Sequence, residues 1–121
     1  MTTFPDRELV ALRDTLREFA AERGWANYHT PKNLAMALIV EAAELVEHFQ
    51  WSTAEESRSL DPAKLVAVRE EVADVLIYLV EMADVLDIDL VSAAYDKIAK
   101  NAIKYPVPAG AAILGNQKSA G

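Results

Sequence analysis

Apolar residues recur along most of this chain at intervals of three and four positions, which is the spacing of an amphipathic α-helix. In the first such segment, residues 6–23, they include Leu9, Leu12 and Leu16, and Gly24 follows as a helix stop. Thr30-Pro31 and Asp61-Pro62 each combine a capping side chain with a proline suited to the first helical turn. The pattern predicts helices over residues 6–23, 31–51 and 62–86 and from Asp87 or Asp89 to about 105, with a short capped turn at 53–56.

The third of the long helices carries apolar side chains in nearly every direction around its axis. They are Val72, Ala73, Val75, Leu76, Ile77, Leu79, Val80 and Ala83. A helix that is apolar all round is buried all round, and four helices are too few to enclose one of their number completely. We therefore predict an all-α, four-helix bundle-like fold with an additional short helical turn, assembled as a homo-oligomer that is either a dimer or a tetramer.

The composition of the 121-residue chain excludes several classes of function. Its 12 basic and 19 acidic side chains give a formal charge of −7, which argues against nucleic-acid binding because affinity for a polyanion comes mainly from lysine and arginine. The chain has no cysteine, and no apolar run approaches the roughly 18 residues that a membrane span needs. We expect a cytoplasmic protein with no nucleic-acid or membrane partner, consisting of one helical domain (1–106) and a tail (107–121).

Four acidic residues interrupt the apolar faces of two helices. Glu41 and Glu44 lie one turn apart on the second helix, and Glu71 and Asp74 do the same on the third. Buried carboxylates need a proton, a basic partner or a cation, and four hard oxygen ligands favour Mg²⁺ or Mn²⁺ over zinc. Exposed acids on misassigned helix faces are the alternative. The remaining acids of this region are interpreted as solvated: Glu47, Glu70, Glu81, Asp84 and Asp87.

Basic and aromatic residues accompany these acids. Lys97, Asn101 and Lys104 share one face of the fourth helix, with Tyr105 at its edge. They are candidates for contacting phosphate, although lysines near a helix C-terminus also complement the helix dipole. Two tryptophans, Trp25 and Trp51, flank the second helix, and His29 precedes its cap; such residues stack on nucleobases, but they are more often core or interface residues.

Several stretches of the chain resemble the MazG-like all-α nucleoside triphosphate pyrophosphohydrolases, most of all their dCTP pyrophosphatase branch. They are 21–25, 29–34, Glu41-x-x-Glu44 with Phe49-Gln50-Trp51, 70–78 with Glu71-x-x-Asp74, and Lys97 with Asn101-x-x-Lys104-Tyr105-Pro106. The resemblance implies a MazG fold and cleavage between the α and β phosphates to give a nucleoside monophosphate and pyrophosphate. It also implies Mg²⁺ at Glu41, Glu44, Glu71 and Asp74, triphosphate contacts from Lys97, Asn101, Lys104 and Tyr105, and a base pocket of Trp25, His29, Trp51 and Tyr78.

Two alternatives to a dCTP pyrophosphatase are kept. Within the resemblance, the connection 51–61 looks shorter than in the animal dCTP pyrophosphatases, so the same chemistry on dUTP or a damaged purine nucleotide is one alternative. A non-catalytic oligomeric module that binds a nucleotide is the other. Glu71→Gln distinguishes the two classes, because it abolishes turnover in an enzyme and is harmless or stabilising where no metal pairs with the buried charge.

Overall fold

The computed structural model of the protein describes residues 7–109. Its regular elements are α1 (Arg7–Glu22), a 3₁₀ helix (Ala26–Tyr28), α2 (Pro31–Glu47), α3 (Ala54–Ser57), α4 (Pro62–Val85) and α5 (Leu90–Lys104). Within residues 7–109 every regular element is helical, which confirms the all-α prediction. None of these helices is both long and apolar enough to cross a membrane.

Side chains at the predicted caps start four of the helices. The side chain of Thr30 accepts a hydrogen bond from a backbone N–H one turn into α2, and Asp61 and Asp89 do the same for α4 and α5. Thr53 and Glu56 form a reciprocal capping box on α3, with bonds of 3.1 and 2.9 Å. These bonds satisfy amide groups that the first turn of a helix leaves free. Asp89, and not Asp87, is therefore the cap of α5.

The end of α2 differs from the prediction. The helix stops at Glu47, and residues 48–52 form tight turns in which the Phe49 N–H bonds to the Val46 carbonyl. The sequence contains no glycine or proline there, so the apolar pattern continued to Trp51 without a stop signal. Trp51 consequently lies beyond the helix. The 3₁₀ helix after Gly24, whose φ of +67° lets the chain leave α1, was not predicted either.

The central contact of the fold is an antiparallel pair formed by α2 and α4. Two contacts fix how the helices are aligned. The Lys64 ammonium, near the start of α4, lies 6.0 Å from the centre of the Phe49 ring, just after the end of α2, and acids from the middle of the two helices meet. Helix α1 packs on the second half of α4. The most buried apolar residues, Ala20, Leu34, Val80 and Ala83, belong to these three helices.

Much of the apolar surface of α4 remains exposed in a single chain. The side chains of Val72 and Leu76 are 51% and 42% exposed, so one chain does not bury this helix all round. Helix α5 has no extensive packing against any other helix. Both features agree with the predicted homo-oligomer, which stays a prediction. The domain boundary at 106 also stays one, because residues 110–121 of the predicted tail lie outside the described residues.

Candidate functional site

Three of the predicted acids converge between α2 and α4. Glu41, Glu44 and Glu71 each offer a carboxylate oxygen, and these atoms lie within 4.8 Å of one another. The one-turn spacing of Glu41 and Glu44 puts both on the side of α2 that faces α4. All three residues are half-buried. The group is therefore a compact set of oxygen ligands between two packed helices.

The electrostatics of this carboxylate group call for a positive charge. Burial raises the pKa of Glu41 to about 7, and the neighbouring carboxyls of Glu71 and Glu44 act in the same direction. The Oε2 atoms of Glu41 and Glu71 are buried and accept no hydrogen bond. No lysine or arginine of residues 7–109 forms an ion pair with these acids. Since an unpaired buried carboxylate is costly, the donor set fits a hard divalent cation.

Asp74 and Tyr78 extend the same face of α4. Asp74 is outside the compact group of three, but its negative charge contributes to the raised pKa of Glu41. The pKa of the Tyr78 phenol is raised by burial and then by the charges of Glu41, Glu81 and Asp74. Tyr78 therefore lies between the carboxylate group and a further acid, Glu81.

The prediction that Glu81 and Asp84 are solvated was wrong. The Glu81 side chain is 14% exposed, and its Oε2 atom lies 3.8 Å from the Nδ1 atom of His29. Asp84 accepts two hydrogen bonds from the Arg17 guanidinium, one of them 2.8 Å long, and this contact lowers its pKa. Glu81 follows Tyr78 by three positions and Asp74 by seven. This helical spacing places Glu81 on the same face of α4 as the site and could have identified it from the sequence.

The two tryptophans lie at different places. Trp25 packs edge-on against Phe19 with ring centres 5.6 Å apart, and the Arg23 guanidinium covers the Phe19 ring at 3.4 Å. Trp25 remains 45% exposed, and Trp51, in the turn after α2, is 90% exposed. Neither ring is part of the core, so both are free to contact a ligand or another chain.

The basic face of α5 is not brought to the acids within one chain. Lys97 and Lys104 are exposed and form no ion pair with any described acid. Asn101 is half-buried, and Tyr105 is 67% exposed with the Lys104 ammonium 5.3 Å from its ring centre. Since α5 has no extensive packing on α2 or α4, a role for these residues at the site would require a further chain.

Comparisons with known proteins agree with this architecture. The model of the MazG-like family matches residues 36–115. Proteins named dCTP pyrophosphatase 1 are 42% identical over 105 residues in Rattus norvegicus and 45% over 101 residues in Bos taurus, covering 85% and 82% of this chain. These alignments include 62% and 60% of the relatives, so the chain spans about three fifths of their length.

A solved structure extends the match to the fold. A pyrophosphatase from Archaeoglobus fulgidus superposes with a TM-score of 0.78 at 43% identity, and the match covers 88% of this chain and 99% of that one. The family match includes both pairs of acids, since it begins before Glu41 and ends after Asp74. On sequence and on structure, the chain belongs to the MazG-like family.

Proposed function

We propose that this protein is a nucleoside triphosphate pyrophosphohydrolase that cleaves the bond between the α and β phosphates and prefers dCTP or a modified dCTP. The observation that carries the proposal is the group formed by Glu41, Glu44 and Glu71, with two buried carboxylate oxygens that lack a partner. The relatives named dCTP pyrophosphatase 1 and the archaeal pyrophosphatase support the choice of reaction and base. The substrate comes from the free nucleotide pool of the cytoplasm.

The cation in this proposal is Mg²⁺, for which Mn²⁺ can substitute. Glu41, Glu44 and Glu71 would hold it, with Asp74 from the next turn of α4. When bound, Mg²⁺ supplies charge neutralisation for the triphosphate and lowers the pKa of the attacking water.

The reaction requires water to attack the α-phosphorus while the bond to the departing pyrophosphate breaks. The proton of the water passes to a carboxylate on this acidic face of α2 and α4. Tyr78, next to the acids, lies between the phosphate end of the site and the linker that carries His29. Trp25 precedes α2 and Trp51 follows it, at opposite ends of a helix of 17 residues. The proposed base pocket therefore combines Trp25, His29 and Tyr78 of one copy with Trp51 of another, and the exposed tryptophan rings supply stacking surface.

The proposed enzyme is a homo-oligomer, either dimeric or tetrameric, in which a second copy completes the site. Helix α5 exposes Tyr95 (69%) and Ile98 (61%), and α4 exposes Leu76 next to its core residues. Covering these surfaces with each other buries apolar area that one chain leaves in water. Such packing would bring the proposed triphosphate-binding residues of one copy close to the acids of another copy. These triphosphate-binding residues are Lys97, Asn101, Lys104 and Tyr105.

Pyrophosphate release from a panel of ribo- and deoxyribonucleoside triphosphates tests the proposal. With Mg²⁺ we expect release, fastest from dCTP, and with a chelator we expect none. Glu71→Gln should lose turnover and keep its fold, whereas Glu47→Gln, an exposed acid on α2, should keep both. Absence of release from every nucleotide would overturn the enzyme proposal and favour a binding module. An equal rate for all bases would remove the cytosine preference and leave the chemistry intact.

A further inference from the structure

One carboxyl on the face of α4 has no role in the proposed reaction. Glu81 is enclosed where α1, α4 and the linker before α2 meet, and only 14% of its side chain is exposed. Its Oε2 atom is buried and accepts no hydrogen bond. The His29 ring, itself 19% exposed, faces this oxygen with Nδ1 at 3.8 Å. Burial raises the pKa of Glu81, and the His29 charge opposes that rise.

The other charged groups around this cleft are already engaged. From α1, Arg17 lines the cleft but is held by both carboxylate oxygens of Asp84. Arg13, also on α1, bonds to Asp14 at 3.0 Å. Asp84 is the other acid that lines the cleft. Among the described residues, His29 is thus the group in a position to neutralise Glu81.

The pair lies at one end of the proposed site. Glu71, Asp74, Tyr78 and Glu81 follow one another at intervals of three, four and three residues, so they share one face of α4. The negative charges of Glu41 and Glu81 both contribute to the raised pKa of the Tyr78 phenol. The acidic face therefore continues from the carboxylate group, past Tyr78, to the imidazole of His29.

We propose that Glu81 is a positioning residue, whose carboxyl group faces Nδ1 of His29 and keeps the imidazole turned so that its Nε2 atom is offered to the nucleotide. The inference rests on the proposed function, in which His29 lines the base pocket. Glu81 does not touch the substrate and acts through the ring. A carboxyl group beside one ring nitrogen fixes the orientation of a histidine.

The action of Glu81 through the ring can be measured by a double-mutant cycle on the KM for dCTP. In Glu81→Gln we expect the KM to rise by up to about tenfold, because the His29 ring is no longer held in one orientation. In a His29→Ala background, Glu81→Gln should raise the KM no further. Glu18→Gln makes the same change in net charge at an exposed position of α1, and it should leave the KM unchanged in both backgrounds.

The functional consequence is a change in KM and not in kcat. At saturating Mg²⁺, the value of kcat in Glu81→Gln should change little, since the ring contributes to binding of the nucleotide. Glu81→Asp keeps the carboxyl group and should retain most of the wild-type affinity, which covers the case in which the glutamine variant folds poorly.

The outcomes separate this inference from the proposed function. An unchanged KM in Glu81→Gln, or a further rise in KM when Glu81→Gln is added to His29→Ala, would overturn the positioning role and leave a merely structural carboxyl. A wild-type protein that neither binds nor hydrolyses nucleotides would overturn the proposed function and, with it, the substrate contact of His29. A rise in KM that disappears in the His29→Ala background supports both.

Discussion

Metal binding by Glu41, Glu44 and Glu71 is expected to release a proton, which makes the affinity depend steeply on pH near neutrality. A carboxyl group must be ionised to bind a divalent cation, and the pKa of Glu41 without metal is raised to about 7. Below this value the metal has to displace the proton. The affinity should therefore fall as the pH falls through 7 and level off above it.

The size of the effect follows from that pKa. With a pKa of about 7, the ionised fraction of Glu41 is about 9% at pH 6 and about 91% at pH 8. The apparent Kd for Mg²⁺ or Mn²⁺ should thus be about tenfold weaker at pH 6 than at pH 8. The raised pKa of Glu41 also affects the stability of the metal-free fold. The contribution of Glu41 to the free energy of unfolding decreases as the pH rises from about 4.5 towards 7 and is constant above that.

Isothermal titration calorimetry in two buffers of different ionisation enthalpy measures both the affinity and the protons released. About 0.9 protons should be released per site at pH 6 and about 0.1 at pH 8. Glu41→Gln should bind the metal more weakly and lose this proton release, whereas Glu47→Gln, also on α2 and exposed, should behave like the wild type. A Kd that is the same at pH 6 and pH 8, with no dependence on the buffer, would refute the reasoning.

Four further substitutions test other parts of the structure. Asp84→Asn should lower the free energy of urea unfolding at pH 7, because the ion pair with Arg17 is lost. The loss should be only about 0.5–1 kcal/mol, since Arg17 is largely exposed. The difference should shrink as the pH falls below the usual aspartate range, and a difference that does not change with pH would contradict the ion pair. Thr30→Ala should lower the free energy of urea unfolding by about 1 kcal/mol, because α2 loses its capping side chain. An unchanged free energy would mean that another group caps the helix. Trp51→Ala should raise the KM for dCTP more than it lowers kcat, and an equal loss in kcat and kcat/KM would argue against uniform base binding. Ile98→Asp should shift the mass measured by light scattering towards the monomer, and an unchanged mass would exclude α5 from the interface.

The helix starts could be predicted from the sequence because a cap involves only neighbouring residues. Thr30, Thr53, Asp61 and Asp89 each bond to a backbone amide three positions further on. The end of α2 depends on tight turns at residues 48–52 that no glycine or proline announces, so it could not be located in the same way.

The carboxylate group was predictable for a related reason. The spacing of Glu41 and Glu44 is local, and the antiparallel packing of α2 on α4 brings Glu71 opposite them. The burial of Glu81 was not predictable, since it is produced by α1 and by the linker that carries His29, both distant in sequence. The proposed approach of the basic face of α5 to the acids would depend on contacts between chains, which no helical periodicity specifies.

The acids of this protein differ in their surroundings more than in their chemistry, and their surroundings indicate their roles. On α4 alone, Asp84 has a guanidinium partner and a lowered pKa, Glu81 has an imidazole nearby and a raised pKa, and the buried oxygen of Glu71 has no partner. We propose a cation only at the group formed by Glu41, Glu44 and Glu71, for which the described chain supplies no ion-pair partner. For this reason the formal charge of −7 argues against nucleic-acid binding but not against a triphosphate substrate, because a divalent metal at Glu71 and its neighbours would stand between the like charges.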